Sequence, residues 1–185
     1  AQENLWQMGI TGVHDFDKLA CLAALRILEE NHQLRLRVVK SIPAEGLSEA
    51  IQAGIQTGAG SDWLWYGGVK EFMDGALGPQ TAAMLKPYQG TAELGMLLNS
   101  EDEIYDLGRE AVSSGLALAI HAIGDLAVRT LLDALTRIRE FERDQGLSPL
   151  PHRIEHLQVI HPLDIPRLAD LGITASMQPI HATSD

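Results

Sequence analysis

The segment LALAIHAIGDLAVRTLLDALTRIREFERDQG, residues 116–146, decides the fold. Residues 116–121 form a continuous apolar run ending in a histidine, with the length and composition of a buried strand. Directly after it, a helical pattern runs from about Leu126 to Gln145, with Asp125 as its N-cap and Gly146 just past its end. An apolar strand feeding straight into a helix is the repeating unit of a parallel sheet covered by helices.

The same unit recurs outward in both directions. Residues 10–16 read as a strand, followed by a helix over 18–32 with Asp17 at its N-cap. Residues 34–39 make a second strand and 44–56 a helix, with Pro43 near its first turn and Gly58 near its end. The third strand spans 64–73. Ser100 and Glu103 spell a capping box that starts a helix ending near Gly115. Beyond the opening segment, 153–157 is the fifth strand, 163–171 a short helix stopped by Gly172, and 173–177 the sixth strand. Residues 74–98, with DGALGPQ and KPYQG, remain irregular, a length that marks functional or disordered loops.

Strict alternation predicts parallel strands joined by right-handed crossovers. No G-x-G-x-x-G follows the first strand, so the nucleotide-binding open sheet is disfavoured. The expected fold class is α/β, a partial TIM-type barrel of about six parallel strands. Residues 1–185 then form a single incomplete barrel segment, because the usual barrel closes with eight strands.

Composition narrows the function. The chain has 185 residues, 45% hydrophobic and 21% charged, enough for a sizeable core. Its net charge of -11, from 14 basic and 25 acidic side chains, argues against nucleic acid as a partner and favours a small-molecule substrate. Cys21 is the single cysteine and reads as a small core residue. No apolar run approaches the roughly 20 residues of a membrane span. The opening AQENLWQMG has no signal-peptide pattern, so a cytoplasmic location and no membrane partner are expected.

In a strand–helix barrel, strand ends converge on one rim, which brings Lys70, His121 and His156 together as candidate metal ligands. Alternation places His121 on the face of Ala117 and Ala119, Lys70 with Gly68 and Phe72, and His156 with Ile154. Arg153 and Glu155 fall on the other face of their strand, as an ion pair between strand and helices. A buried Lys70 loses proton affinity, so its neutral amine could become a carbamate ligand or a Schiff base. An ion pair with Glu71 or Asp74 is the structural alternative. His181 lies on the same rim, and His14 has the same strand-end placement in a weaker context. His152 and His161 read as structural. Asp74, Gln80 and Tyr88 on the long loop, with His181, are candidate substrate contacts.

Five phrases in order, GITGVHDFD, GGVKEFMDGALGPQTAAMLKPY, AIHAIGDLAVR, HRIEHLQVIHPLDI and LGITASMQPIHATSD, resemble the amidohydrolase superfamily. The likeness is to amidohydrolase family 3, which includes N-substituted formamide deformylases. The resemblance implies a metal-dependent hydrolase cleaving non-peptide carbon–nitrogen bonds of a small amide-type molecule by metal-activated hydroxide. It implies Lys70, possible in carbamylated form, with His121 and His156 as ligands to one or two divalent ions, zinc being expected from the mixed imidazole and oxygen set. The family's first strand carries a His-x-His pair and its last an Asp; this sequence has no His-x-His, and Asp185 is not assigned that role. The small sandwich domain of the family is expected to be absent too. Gln80 stands where a basic residue is expected. With those ligands missing, weak metal binding and an inactive isolated chain are expected, and exposed barrel edges suggest self-association. The competing readings are a noncatalytic truncated barrel that binds or assembles, and a metal-free Schiff-base lyase using Lys70.

Overall fold

The computed structural model describes residues 1–184, so Asp185 lies outside the described residues. Its strands are β1 (Gly12–Asp15), β2 (Arg37–Pro43), β3 (Leu64–Phe72), β4 (Leu118–Ala122), β5 (Arg153–His156) and β6 (Thr174–Ser176). All five pairings are parallel and join chain neighbours, in the order β1-β2-β3-β4-β5-β6. The sheet curls into a half-barrel, as the alternating pattern predicts. The intervening helices are α2 (Leu19–Glu30), α3 (Leu47–Gln52), α4 (Glu101–Ser113), α5 (Asp125–Asp144) and α6 (Ile165–Asp170). Two short helices that the pattern does not reveal, α1 (Gln2–Gln7) and α7 (His181–Ser184), flank them. No helix among the described residues is long and apolar enough to cross a membrane.

The core lies between the convex face of the sheet and the helices. Ile42, Val69, Leu118, Ile120 and Ile154 from the strands pack there with Leu131, Leu132, Leu135 and Ile138 of α5 and Ile104 of α4. Each such side chain contributes about 1.5–3 kcal/mol when fully buried. The Ser100–Glu103 capping box forms as expected, with Ser100 accepting from the Glu103 amide and Glu103 accepting from the Ser100 amide.

Other boundaries differ from the sequence reading, each for a local reason. Gly124, not Asp125, caps α5, because the Asp125 carboxylate instead accepts the Leu85 amide at 2.8 Å and holds the long loop. Lys18, not Asp17, precedes α2, and Asp17 accepts the Lys18 amide. Strand β2 starts at Arg37, since the Gln33 and Leu34 amides close the end of α2 on the Leu28 carbonyl. The helix expected over 44–56 is a 3-10 turn, Ala44–Gly46, followed by α3. Cys21 is half-buried rather than in the core, its thiol 3.5 Å from Asp15 Oδ2. His152 and His161 are structural as expected: each ring Nδ1 accepts a backbone amide, from Leu118 and Leu163 respectively.

An irregularity in β3 sets which residues face the barrel interior. Opposite Lys40 and Ile42 stand Tyr66 and Val69, so β3 spends three residues where β2 spends two. Leu64 faces the helices before the bulge and Val69 after it, which turns Lys70 and Phe72 to the concave side. The extra residue falls at Gly67-Gly68. A Cβ on Gly68 would sit 2.9 Å from the Ala117 carbonyl oxygen and from Leu118 C, both backbone atoms that cannot swing aside. Gly68→Ala should therefore lower unfolding free energy by about 1–3 kcal/mol, measured by urea denaturation. Gly78→Ala, where a Cβ meets nothing within 4 Å, is the control expected to stay within about 0.5 kcal/mol.

Candidate functional site

The parallel register brings the three candidate ligands to one rim: Phe72 pairs with His121, Lys70 with Ala119, and Ala122 with His156. The His121 and His156 rings meet edge to face, 4.7 Å between centroids. Phe72 joins them to Lys70, its ring centre 5.2 Å from His121 and 3.4 Å from Lys70 Nζ. Lys70 Nζ donates to the Glu71 carbonyl at 2.9 Å.

His156 reaches the cluster by a route that alternation misses. Ile154 faces the helices, so a regular strand would send His156 there too. Instead His156 and Leu157 both adopt left-handed backbone, φ +75° and +48°. The reversal buries Leu157 in the core and swings the imidazole toward His121. Non-glycine residues rarely hold this conformation, which costs on the order of 1–3 kcal/mol each and persists where surrounding bonds enforce it. Here the Leu157 amide binds the Ala122 carbonyl and the Val159 amide binds that of Ile123.

Hydrogen bonds fix the ring tautomers. His121 Nε2 lies 2.8 Å from the Gly75 carbonyl, an acceptor only, so Nε2 carries the proton and Nδ1 the lone pair. His156 Nδ1 lies 2.8 Å from Gln178 Oε1, which leaves Nε2 as its lone pair. Such outer bonds are the usual support of metal-binding imidazoles. The donor types thus fit a divalent cation. The donor number does not complete a site: among the described residues no group of three or more His, Cys, Asp or Glu could hold an ion.

The electrostatics of Lys70 follow from its burial. Loss of water pushes its ammonium down to about 8, against the upward pull of Glu155 and Glu71. Burial also holds His156 below the ordinary imidazole range, opposed by its bond to Gln178. Glu155 lies on the concave side of β5 and not between strand and helices. Its predicted partner is correct: Arg153 binds it at 2.7 Å, reaches Ser176 Oγ at 2.8 Å and approaches His14 at 3.4 Å. Neither Glu71 nor Asp74 forms the ion pair with Lys70 that was the structural alternative; Lys70 meets the Glu71 main chain and the Phe72 ring instead.

Asp74, expected as a substrate contact, is 1% exposed and engaged on both oxygens. It accepts the amides of Ala83 at 2.9 Å, Ile123 at 3.0 Å and Gly124 at 2.8 Å, and lies 3.4 Å from His121 Nε2. Tyr88 is half-buried, its hydroxyl donating to the Ala82 carbonyl. Gln80 is an exposed turn residue at φ +57°. His181 lies beside the site, 6.1 Å from the His156 ring centre, and both line a cavity of about 250 Å³ with Leu77 and Met177. The sequence reading missed Gln178 and the Gly75 carbonyl. The phrase MQP contained the first; the second carries no side-chain signal.

Comparison with known proteins identifies the family and the fold. The amidohydrolase family model matches residues 1–185. The chain is 32% identical over 159 residues to Protein LONG AFTER FAR-RED 3 of Arabidopsis thaliana, covering 85% of this chain and 27% of that protein. It is 34% identical to the putative amidohydrolase YtcJ of Bacillus subtilis (66% of this chain, 22% of the relative) and 34% identical to N-substituted formamide deformylase of Arthrobacter pascens (43% and 14%). The solved structure of an uncharacterized metal-dependent hydrolase from Pyrococcus furiosus superposes with a TM-score of 0.85 at 32% identity, over 100% of this chain and 37% of that one. The chain therefore spans about a quarter of the first curated relative and little more than a third of the solved one.

Two outcomes test this arrangement. Asp74→Ala strands three backbone donors, each costing about 1–3 kcal/mol, so a loss of about 3 kcal/mol or more is expected in urea denaturation. For Lys70 the folded value of about 8 lies below the ordinary 10.5, so the unfolded chain binds more protons between them. Stability contributed by this group therefore rises with pH from about 8 to 10.5. The difference in denaturation midpoint between wild type and Lys70→Met should change in that direction across the window and stay flat below it.

Proposed function

Because the chain belongs to the amidohydrolase family, we propose that it carries the central half of the active site of a metal-dependent hydrolase acting on a carbon–nitrogen bond of a small amide-type molecule. Hydrolase membership rests on the family match and on the metal-dependent hydrolase that shares the fold. The observation that carries the site assignment is the convergence of two imidazoles, each with one nitrogen tied to an acceptor and the other left as a lone pair.

In this reading His121 Nδ1, His156 Nε2 and Lys70 hold the cation, for which zinc is the best match to imidazole and oxygen donors. A bound cation supplies Lewis acidity toward water and the amide carbonyl. Lys70 contributes as a carbamate: its neutral amine nitrogen bonds to the carbon of carbon dioxide and releases one proton, leaving an anionic oxygen ligand. The fall of its ammonium to about 8 makes that amine accessible near neutral pH. The Phe72 ring over Nζ shields the same group from water. His181 and the cavity it lines with Leu77 and Met177 adjoin His156 and would receive part of the substrate.

A binding or assembly role is the second reading, supported by Phe16 and Phe72, 40% and 45% exposed on the concave side. Self-association of the isolated chain through its outer strands belongs to that reading.

The deciding experiment assays the longer protein containing this segment against a panel of N-substituted formamides and acetamides, with and without chelator. Chelation is expected to abolish hydrolysis and added zinc to restore it. His121→Asn and His156→Asn should each lower kcat/KM by at least about 100-fold, the upper range for weakening metal support. Undiminished turnover in the chelator-treated protein would sink the proposal.

A further inference from the structure

Gln178 stands in the MQP phrase after β6 and plays no part in the fold's core. We infer that it is a positioning residue that locks the His156 imidazole with its proton on Nδ1, so that Nε2 is always offered as a lone pair; its bearing on metal binding rests on the function proposed above.

The Gln178 amide is held in one orientation. Gln178 Nε2 donates to the Ser176 carbonyl at 3.2 Å, and a carbonyl only accepts. That bond assigns the nitrogen end, so the end facing His156 is the oxygen, at 2.8 Å from Nδ1. An oxygen acceptor at that distance requires a proton on Nδ1, and a neutral ring then has none on Nε2. Ser176 is itself held, since its hydroxyl accepts from Arg153 at 2.8 Å and Arg153 is anchored to Glu155. Thus one chain of bonds runs from the ion pair on β5, through Ser176 of β6 and Gln178, to His156 Nδ1. It uses a side chain three residues before His181, on the segment that follows the last strand.

The left-handed backbone at His156 makes such a lock consequential. The reversal aims the ring at His121 but does not decide which nitrogen bears the proton. Free imidazole exchanges between tautomers, and a cation site needs one of them every time. The Gly75 carbonyl does the corresponding work for His121, with the protonated and bare nitrogens exchanged.

The test is ¹⁵N–¹H correlation of the histidine rings in the 185-residue chain without metal, followed by zinc titration. Wild type is expected to show His156 in the Nδ1–H form. Gln178→Leu removes the acceptor and should populate the Nε2–H form, while Gln178→Glu retains an acceptor oxygen and should restore Nδ1–H. Gln178→Lys, with donors only, should drive the proton to Nε2. The ring signals of His121 and His152 report that each variant keeps its fold. Zinc affinity is expected to fall about 10- to 100-fold in Gln178→Leu and to stay near wild type in Gln178→Glu. A wild-type Nε2–H ring, or an Nδ1–H ring that persists in both Leu and Lys variants, overturns the inference. If the tautomers respond as stated but wild type binds zinc no better than His156→Asn, the proposed function fails while the positioning role stands.

Discussion

The buried carboxylate of Asp74 is the interaction on which the rim depends. It lies two residues past the end of β3, and its two oxygens collect amides from Ala83 in the long loop and from Ile123 and Gly124 in the turn between β4 and α5. The main-chain ladders between parallel strands stop where the strands stop. Past that point the chain needs another source of order. A carboxylate accepting several backbone amides supplies it, because burying those donors without a partner would cost more than most single contacts contribute. The same residue lies against His121, so the loop, the turn and the imidazole share one anchor.

The rest of the rim follows the same logic of satisfied polar atoms. His121 is tied to the Gly75 carbonyl, His156 to Gln178, and Gln178 to the Ser176 carbonyl. On the concave face below, Arg153 and Glu155 neutralise one another while Lys70 rests on the Phe72 ring. Burial takes Lys70 out of water, which is why its ammonium is weakened despite the nearby Glu155 and Glu71 carboxylates. Backbone strain is concentrated here: two consecutive non-glycine residues adopt left-handed backbone where the imidazoles converge.

Much of the architecture was legible because its signals are local. Apolar runs separated by helical patterns specify a parallel sheet, and the capping box at Ser100 and Glu103 fixed the start of α4 without any tertiary information. The boundary errors have a common cause. Asp17 and Asp125 are good N-cap residues by type, yet each has a stronger claim on its carboxylate, from the adjacent Lys18 amide or from Leu85 forty residues away. The Glu155 face was misassigned because it was read by period-2 alternation from an inward His156, and alternation fails at His156, where the backbone leaves the extended region.

The sequence by itself determined the parallel strand order, the family, and the identity of Lys70, His121 and His156 as rim residues, since these depend on periodicity and on short phrases. Only the tertiary structure decided the orientation of those side chains. The Gly67-Gly68 bulge turns Lys70 inward, the left-handed turn brings His156 to His121, and acceptors distant in the chain choose which ring nitrogen is bare. Those features arise from contacts between segments up to about fifty residues apart, and a hydrogen bond accepted by a backbone carbonyl leaves no mark on the side chain of the residue that accepts it.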